Sequence, residues 1–182
     1  MSLGVLLLVG AGAFIAGALL LAIRRAARVL YRARRRGDFG LALGRIGREV
    51  TVELEVVLGR VDAVRRDQLA PAEIVSLLVQ TVDTVGSAGQ RVKTMAVPSG
   101  GAAVHDAVGH ELLRASSALE AILDACIALE GTTQGDRVTR ARKSLQWGHL
   151  NLVRVRESLM GHAAEAEAFA TPGKQGWRAS RI

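Results

Sequence analysis

From Leu3 to Ile23 the chain carries 21 consecutive residues without a formal charge, nearly all Leu, Val, Ala, Gly, Ile or Phe. At about 1.5 Å of rise per residue, a helix of that length covers the roughly 30 Å hydrocarbon layer of a bilayer. A helix is the one single-segment structure that satisfies its own backbone hydrogen bonds in lipid. A cleaved secretory leader would need a basic segment ahead of a shorter apolar run, and neither is present. Arg24, Arg25, Arg28, Arg32, Arg34, Arg35 and Arg36 follow at once, with no acid before Asp38. Positive charge next to a span stays on the cytoplasmic side. The expectation is therefore a single-pass anchor at residues 1–23 in the plasma membrane, with the N-terminus outside and the C-terminal domain cytoplasmic.

Those seven arginines account for the whole formal net charge of +7, because the other 17 basic residues face all 17 acidic ones. A nucleic-acid binder spreads basic charge and aromatic side chains over a binding face, so no nucleic-acid partner is expected. Residues 24–37 read instead as a basic juxtamembrane helix. Arg24, Arg25, Arg28, Arg32, Arg35 and Arg36 recur at helical spacing, placed to meet anionic lipid head groups at about 1 kcal/mol each. Within the span, Gly12 with Ala16 and Ala13 with Gly17 have the small-xxx-small spacing that lets membrane helices approach.

Beyond the arginines the apolar residues keep step with a helix. Gly37, Asp38, Phe39 and Gly40 read as an interruption, with Asp38 capping a new helix. Leu43, Ile46, Val50, Leu54, Val57, Val61 and Val64 then advance by three or four residues at a time. Pro71 and Glu73 suit the first turn of the next helix, whose seam is Ile74, Leu78, Val82, Val85, Ala88, Val92 and Met95. A third seam runs Val104, Val108, Leu112, Ala115, Leu119, Ile122, Cys126 and Leu129, up to Gly131. Thr133 and Asp136 have capping-box spacing ahead of a fourth, through Val138, Ala141, Leu145, His149, Leu152, Val155, Leu159, His162, Ala166 and Phe169. Short connections between amphipathic helices predict an all-α, antiparallel four-helix bundle over residues 38–170, and residues 171–182 read as a flexible tail containing Trp177. Gly44, Gly47, Gly59, Gly86, Gly89, Gly109, Gly148 and Gly161 lie inside these helices, each at a cost of up to about 1 kcal/mol relative to Ala.

Residues able to do chemistry are few. Metal-binding bundles use Glu-x-x-His pairs, and no glutamate here is followed by histidine at the third position. The histidines form no His-Glu-x-x-His pattern and no phosphate-cradling Gly-Lys loop occurs, so neither metal nor cofactor is expected. Cys126 sits among Leu123, Ala125, Ile127 and Leu129, a core setting for a lone thiol. The stretch His110-Glu111-Leu112-Leu113-Arg114-Ala115-Ser116-Ser117 resembles the phosphoacceptor helix of histidine-phosphotransfer domains and of sensor-kinase dimerisation domains. In the phosphotransfer family the basic residue follows the histidine by three positions, where here Arg114 follows by four. The sensor-kinase motif ends in a proline that this stretch lacks. The resemblance implies His110 as phosphoacceptor of a relay. The leading expectation is a non-enzymatic interaction or scaffold protein that binds an unknown protein partner. Its seams have nearly coiled-coil periodicity, which also allows a homo-oligomer.

Overall fold

The computed structural model describes residues 3–131 and 135–171, with side chains from residue 20 onward. Four helices make up the order: α1 (Leu3–Arg65), α2 (Ala72–Lys93), α3 (Ala102–Glu130) and α4 (Gly135–Ala170). No strand occurs among the described residues. α1 packs on α4 and α2, and α3 packs on the same two helices, while α1 and α3 only graze across the diagonal. That is the antiparallel, up-down-up-down bundle expected from short connections.

The seams read from the sequence form the core. Leu43, Ile46, Val50, Leu54, Val57, Val61 and Val64 are all buried, as are Ile74, Leu78, Leu112, Leu119, Ile122, Leu152 and Leu159. Each large aliphatic side chain buried in this way contributes roughly 2 kcal/mol. The seams are thus consumed within the chain's own bundle. Three positions shift by one residue: on α2, Thr81 takes the buried place read for Val82, and on α4, Gly148 and Ala163 take the buried places, leaving the bulkier His149 and His162 half-buried at the edge. Thr51 and Thr81 are buried because each hydroxyl donates to a carbonyl one turn back, Gly47 O and Leu77 O, both at 2.8 Å.

The helix ends follow local chemistry. Asp67, at φ 56, takes the left-handed conformation that closes the turn after α1. Pro71 occupies the N-cap of α2, and the Glu73 carboxylate accepts from Ala70 N–H at 3.1 Å. Gly131 is the C-cap of α3. Thr133, read as a cap for α4, lies outside the described residues.

The expected break at residues 37–40 is absent: α1 runs unbroken through it. Phe39 is buried rather than part of a turn, meeting the Phe169 ring edge-on at 6.1 Å. Asp38 is exposed in mid-helix and begins nothing. The glycines serve α4 instead. A Cβ on Gly40 would lie 2.3 Å from Ala166 O and 2.9 Å from Ala170 Cβ, and one on Gly44 would lie 2.7 Å from Glu167 Cγ. Backbone approach this close offsets the propensity penalty that made those glycines look like breakers.

Among the described residues no helix is long and apolar enough to cross a membrane. The anchor assigned to residues 1–23 falls largely on residues 1–19, which lie outside the described side chains, as do Gly12, Ala13, Ala16 and Gly17.

Candidate functional site

Three places hold residues with chemical potential: the stretch of α1 that projects beyond the bundle, a groove between α2 and α3, and a small polar cluster at the opposite end. On the projecting stretch, every side chain from Leu20 to Arg36 is exposed apart from half-buried Ala33. All seven arginines lie there and none reaches the core. They are not equivalent. The Arg36 guanidinium donates to Ser99 O at 3.1 Å and lies 5.8 Å over the Phe169 ring, so it ties α1 to the α2–α3 connection and to the end of α4. Arg35 turns back along its own helix, 5.5 Å over the Tyr31 ring. Among the seven arginines read as facing the membrane surface, Arg36 also contacts the bundle, through a hydrogen bond and a cation–π contact.

Between α2 and α3, Gly86, Gly89 and Gly109 line a groove of about 570 Å³ with Val85, Val92 and Leu113. The groove exists because Gly86 and Gly89 face open space, where a Cβ would meet nothing within 4 Å. Leu113 stands at its edge, 71% exposed. His105 and His110 both border it, and the two differ. His105 is fixed, with Nε2 at 2.9 Å from Val92 O and Nδ1 at 3.0 Å from Asp106. His110 is exposed on the outer surface of α3. Next to it, Glu111 is buried and accepts from Arg114 Nη1 at 2.9 and 3.1 Å. Arg114, the basic residue that the resemblance sets after His110, is thus bonded to Glu111.

The opposite end carries Asp62, Arg65 and His149. The Arg65 guanidinium donates to Asp62 Oδ1 at 3.1 Å and to His149 Nδ1 at 3.2 Å. Arg has only donors, so Nδ1 of His149 is the unprotonated nitrogen. Burial first, and then the Arg65 charge, lower the His149 pKa, with Asp62 pulling the other way. Cys126 is fully buried, and burial with the Glu130 carboxylate pushes its thiol up to about 11. A thiol so seldom ionised is no nucleophile. Among the described residues no group of three or more His, Cys, Asp or Glu side chains could hold a metal ion.

The chain matches no known protein family, no curated protein and no solved structure. Any function therefore has to be read from the geometry of this chain alone. Sequence reasoning missed the buried Glu111–Arg114 pair, whose i to i+3 spacing was its only signal. It also missed the groove, because whether a helical glycine faces a neighbour or open space depends on the partner helix.

Proposed function

We propose that this chain is a single-pass plasma-membrane protein whose cytoplasmic four-helix bundle acts as an interaction or scaffold module, without a catalytic step of its own. The observation that carries this reading is the continuity of α1: the apolar run and the first core helix belong to one 63-residue helix. The bundle is then fixed to its span by regular backbone rather than by a loose linker, as suits a module that presents a surface at a set height.

Between Ile23 and Gly37 the helix rises about 21 Å. With α1 along the membrane normal, Arg24, Arg25 and Arg28 stand within about 8 Å of the hydrocarbon edge, in the head-group layer, and Arg32 to Arg36 stand about 13 to 20 Å from that edge, where salt screens them more. The first three arginines then supply most of the attraction to anionic head groups. The near-neutral charge beyond residue 36 supports a protein partner or a second copy over nucleic acid. Extraction of native membranes at alkaline pH, combined with protease treatment of inside-out vesicles, tests the placement. Retention in the pellet with digestion of the bundle is expected, and release into the supernatant would overturn it.

The alternative is a phosphotransfer relay at His110, which the exposure of that ring favours and the Glu111–Arg114 pair opposes. A histidine-kinase phosphodonor applied to the full chain decides it: the relay requires label that a His110→Ala variant loses.

A further inference from the structure

Leu113 stands 71% exposed at the edge of the α2–α3 groove, and no large apolar side chain among the described residues is more exposed. Beside it the groove is walled by bare backbone. A Cβ on Gly86 or Gly89 would meet nothing within 4 Å, and one on Gly109 only Val92 Cγ1 at 3.9 Å. One face therefore carries both a protruding leucine and a hollow of about 570 Å³, ample for a leucine side chain that its own Leu113 does not supply. The two features lie at one level along the bundle, since Leu113, Gly86 and Gly89 line the same groove. Two turns away His105 Nε2 lies 2.9 Å from Val92 O, which brings the exposed side chains of Lys93 on α2 and Asp106 on α3 level with each other at the rim.

We infer that this face pairs with the same face of a second copy, Leu113 of each chain seating over Gly86 and Gly89 of the other. This rests on the anchored reading above, which fixes the symmetry. Two chains held in one membrane share an up direction, so the two-fold axis relating them lies along the membrane normal. Such an axis keeps every residue at its own height and sets α3 of one copy against α2 of the other. Leu113 is then brought to the hollow at its own level, and Lys93 to Asp106, each contact made twice. A two-fold interface has to be self-complementary in shape and charge, and this face carries both halves of each contact. α2 rises about 33 Å over its 22 residues, so a face two helices wide offers roughly 650 Å², somewhat less than the 800 Å² per partner of a standard interface. The shared membrane compensates by raising the effective concentration of the copies. Dilution in detergent removes that help, separates the chains and leaves Gly86 and Gly89 facing open space.

Two differently tagged full chains, one Leu113→Cys and the other Gly86→Cys, are reconstituted together in proteoliposomes and oxidised with copper phenanthroline. Cys126 is fully buried and stays out of the reaction. Flotation at alkaline pH first reads the anchor on its own. Expected is a mixed disulfide about tenfold more abundant than that between Leu113→Cys and Met160→Cys, an exposed position on α4. Lys93→Asp and Asp106→Lys, each made in both chains, should lower the yield about fivefold, and combining them should restore it. Equal yields with Gly86→Cys and Met160→Cys are the mark of random collision and overturn the inference, as does absence of the mixed disulfide. If the L113C thiol escapes cross-linking in proteoliposomes yet is shielded from maleimide in native membranes, a different protein fills the groove and the inference falls. Chains that float without forming the disulfide lose only the pairing, whereas chains that fail to float lose the anchor and the pairing with it.

Discussion

The α1–α4 interface and the α2–α3 groove are both lined with helical glycine, yet the glycines do opposite things. On α1, Gly40 and Gly44 press against the backbone and side chains of Ala166, Glu167 and Ala170, and the two helices close to a distance that any side chain would prevent. On α2, Gly86 and Gly89 face open space and leave a groove. Glycine's intrinsic helix cost, about 1 kcal/mol, is the same in both places. Only the first place recovers it through packing. A glycine in a helix is thus neither a breaker nor a contact device until the opposing surface is known.

That contrast can be broken by adding single methyl groups. The largest effect is expected at Gly40: Gly40→Ala should destabilise the detergent-solubilised full chain by about 2 kcal/mol, or roughly 6 °C in Tm, despite the better propensity of Ala. An unchanged or higher Tm would mean that α1 and α4 are not in backbone contact there. Gly148→Ala should cost about half as much, roughly 1 kcal/mol, because its new Cβ would meet Ile122 Cγ1 at 2.6 Å, a side chain that can shift a little. The sign should reverse in the groove. Gly86→Ala and Gly89→Ala, made singly, should each raise stability by about 0.5–1 kcal/mol in thermal melts, since the methyl group meets nothing and the unfolded chain loses freedom. A loss at either position would show that the groove closes on something.

The smallest effect concerns pH at the far end of the α1–α4 pair. His149 has a lowered pKa in the folded state, so the unfolded chain takes up its proton first as pH falls. Its contribution is complete above the ordinary histidine value of about 6.5 and is lost progressively below it. His149→Gln should therefore lose less Tm between pH 7.5 and 5.5 than the parent chain. Parallel decline of the two would show that the Arg65 contact does not set the protonation of His149.

The bundle was readable because its signal is redundant. Each seam repeats over several turns, and every predicted α1 core position from Leu43 to Val64 is buried. Where one side chain had to decide, pattern alone misled. Asp38 has the chemistry of a cap, but Phe39 next to it finds a core formed by Phe169 and the α2–α3 connection, and that burial carries the helix through. Arg36 looked like its six neighbours until Ser99, 63 positions away in the chain, supplied its acceptor. The phosphoacceptor-like stretch met a similar limit, because burial of Glu111 decides what Arg114 can bind.

By itself the sequence determined the helical class, the four seams, the separation of basic from neutral segments and the uncharged run of 21 residues, since these depend on periodicity and composition along one chain. Tertiary structure decided which glycines are contacts and which are gaps, whether α1 continues through residues 37–40, and which arginine is held by the bundle. Each of those depends on an atom supplied by a distant helix, and spacing along a single helix carries no record of what will be packed against it.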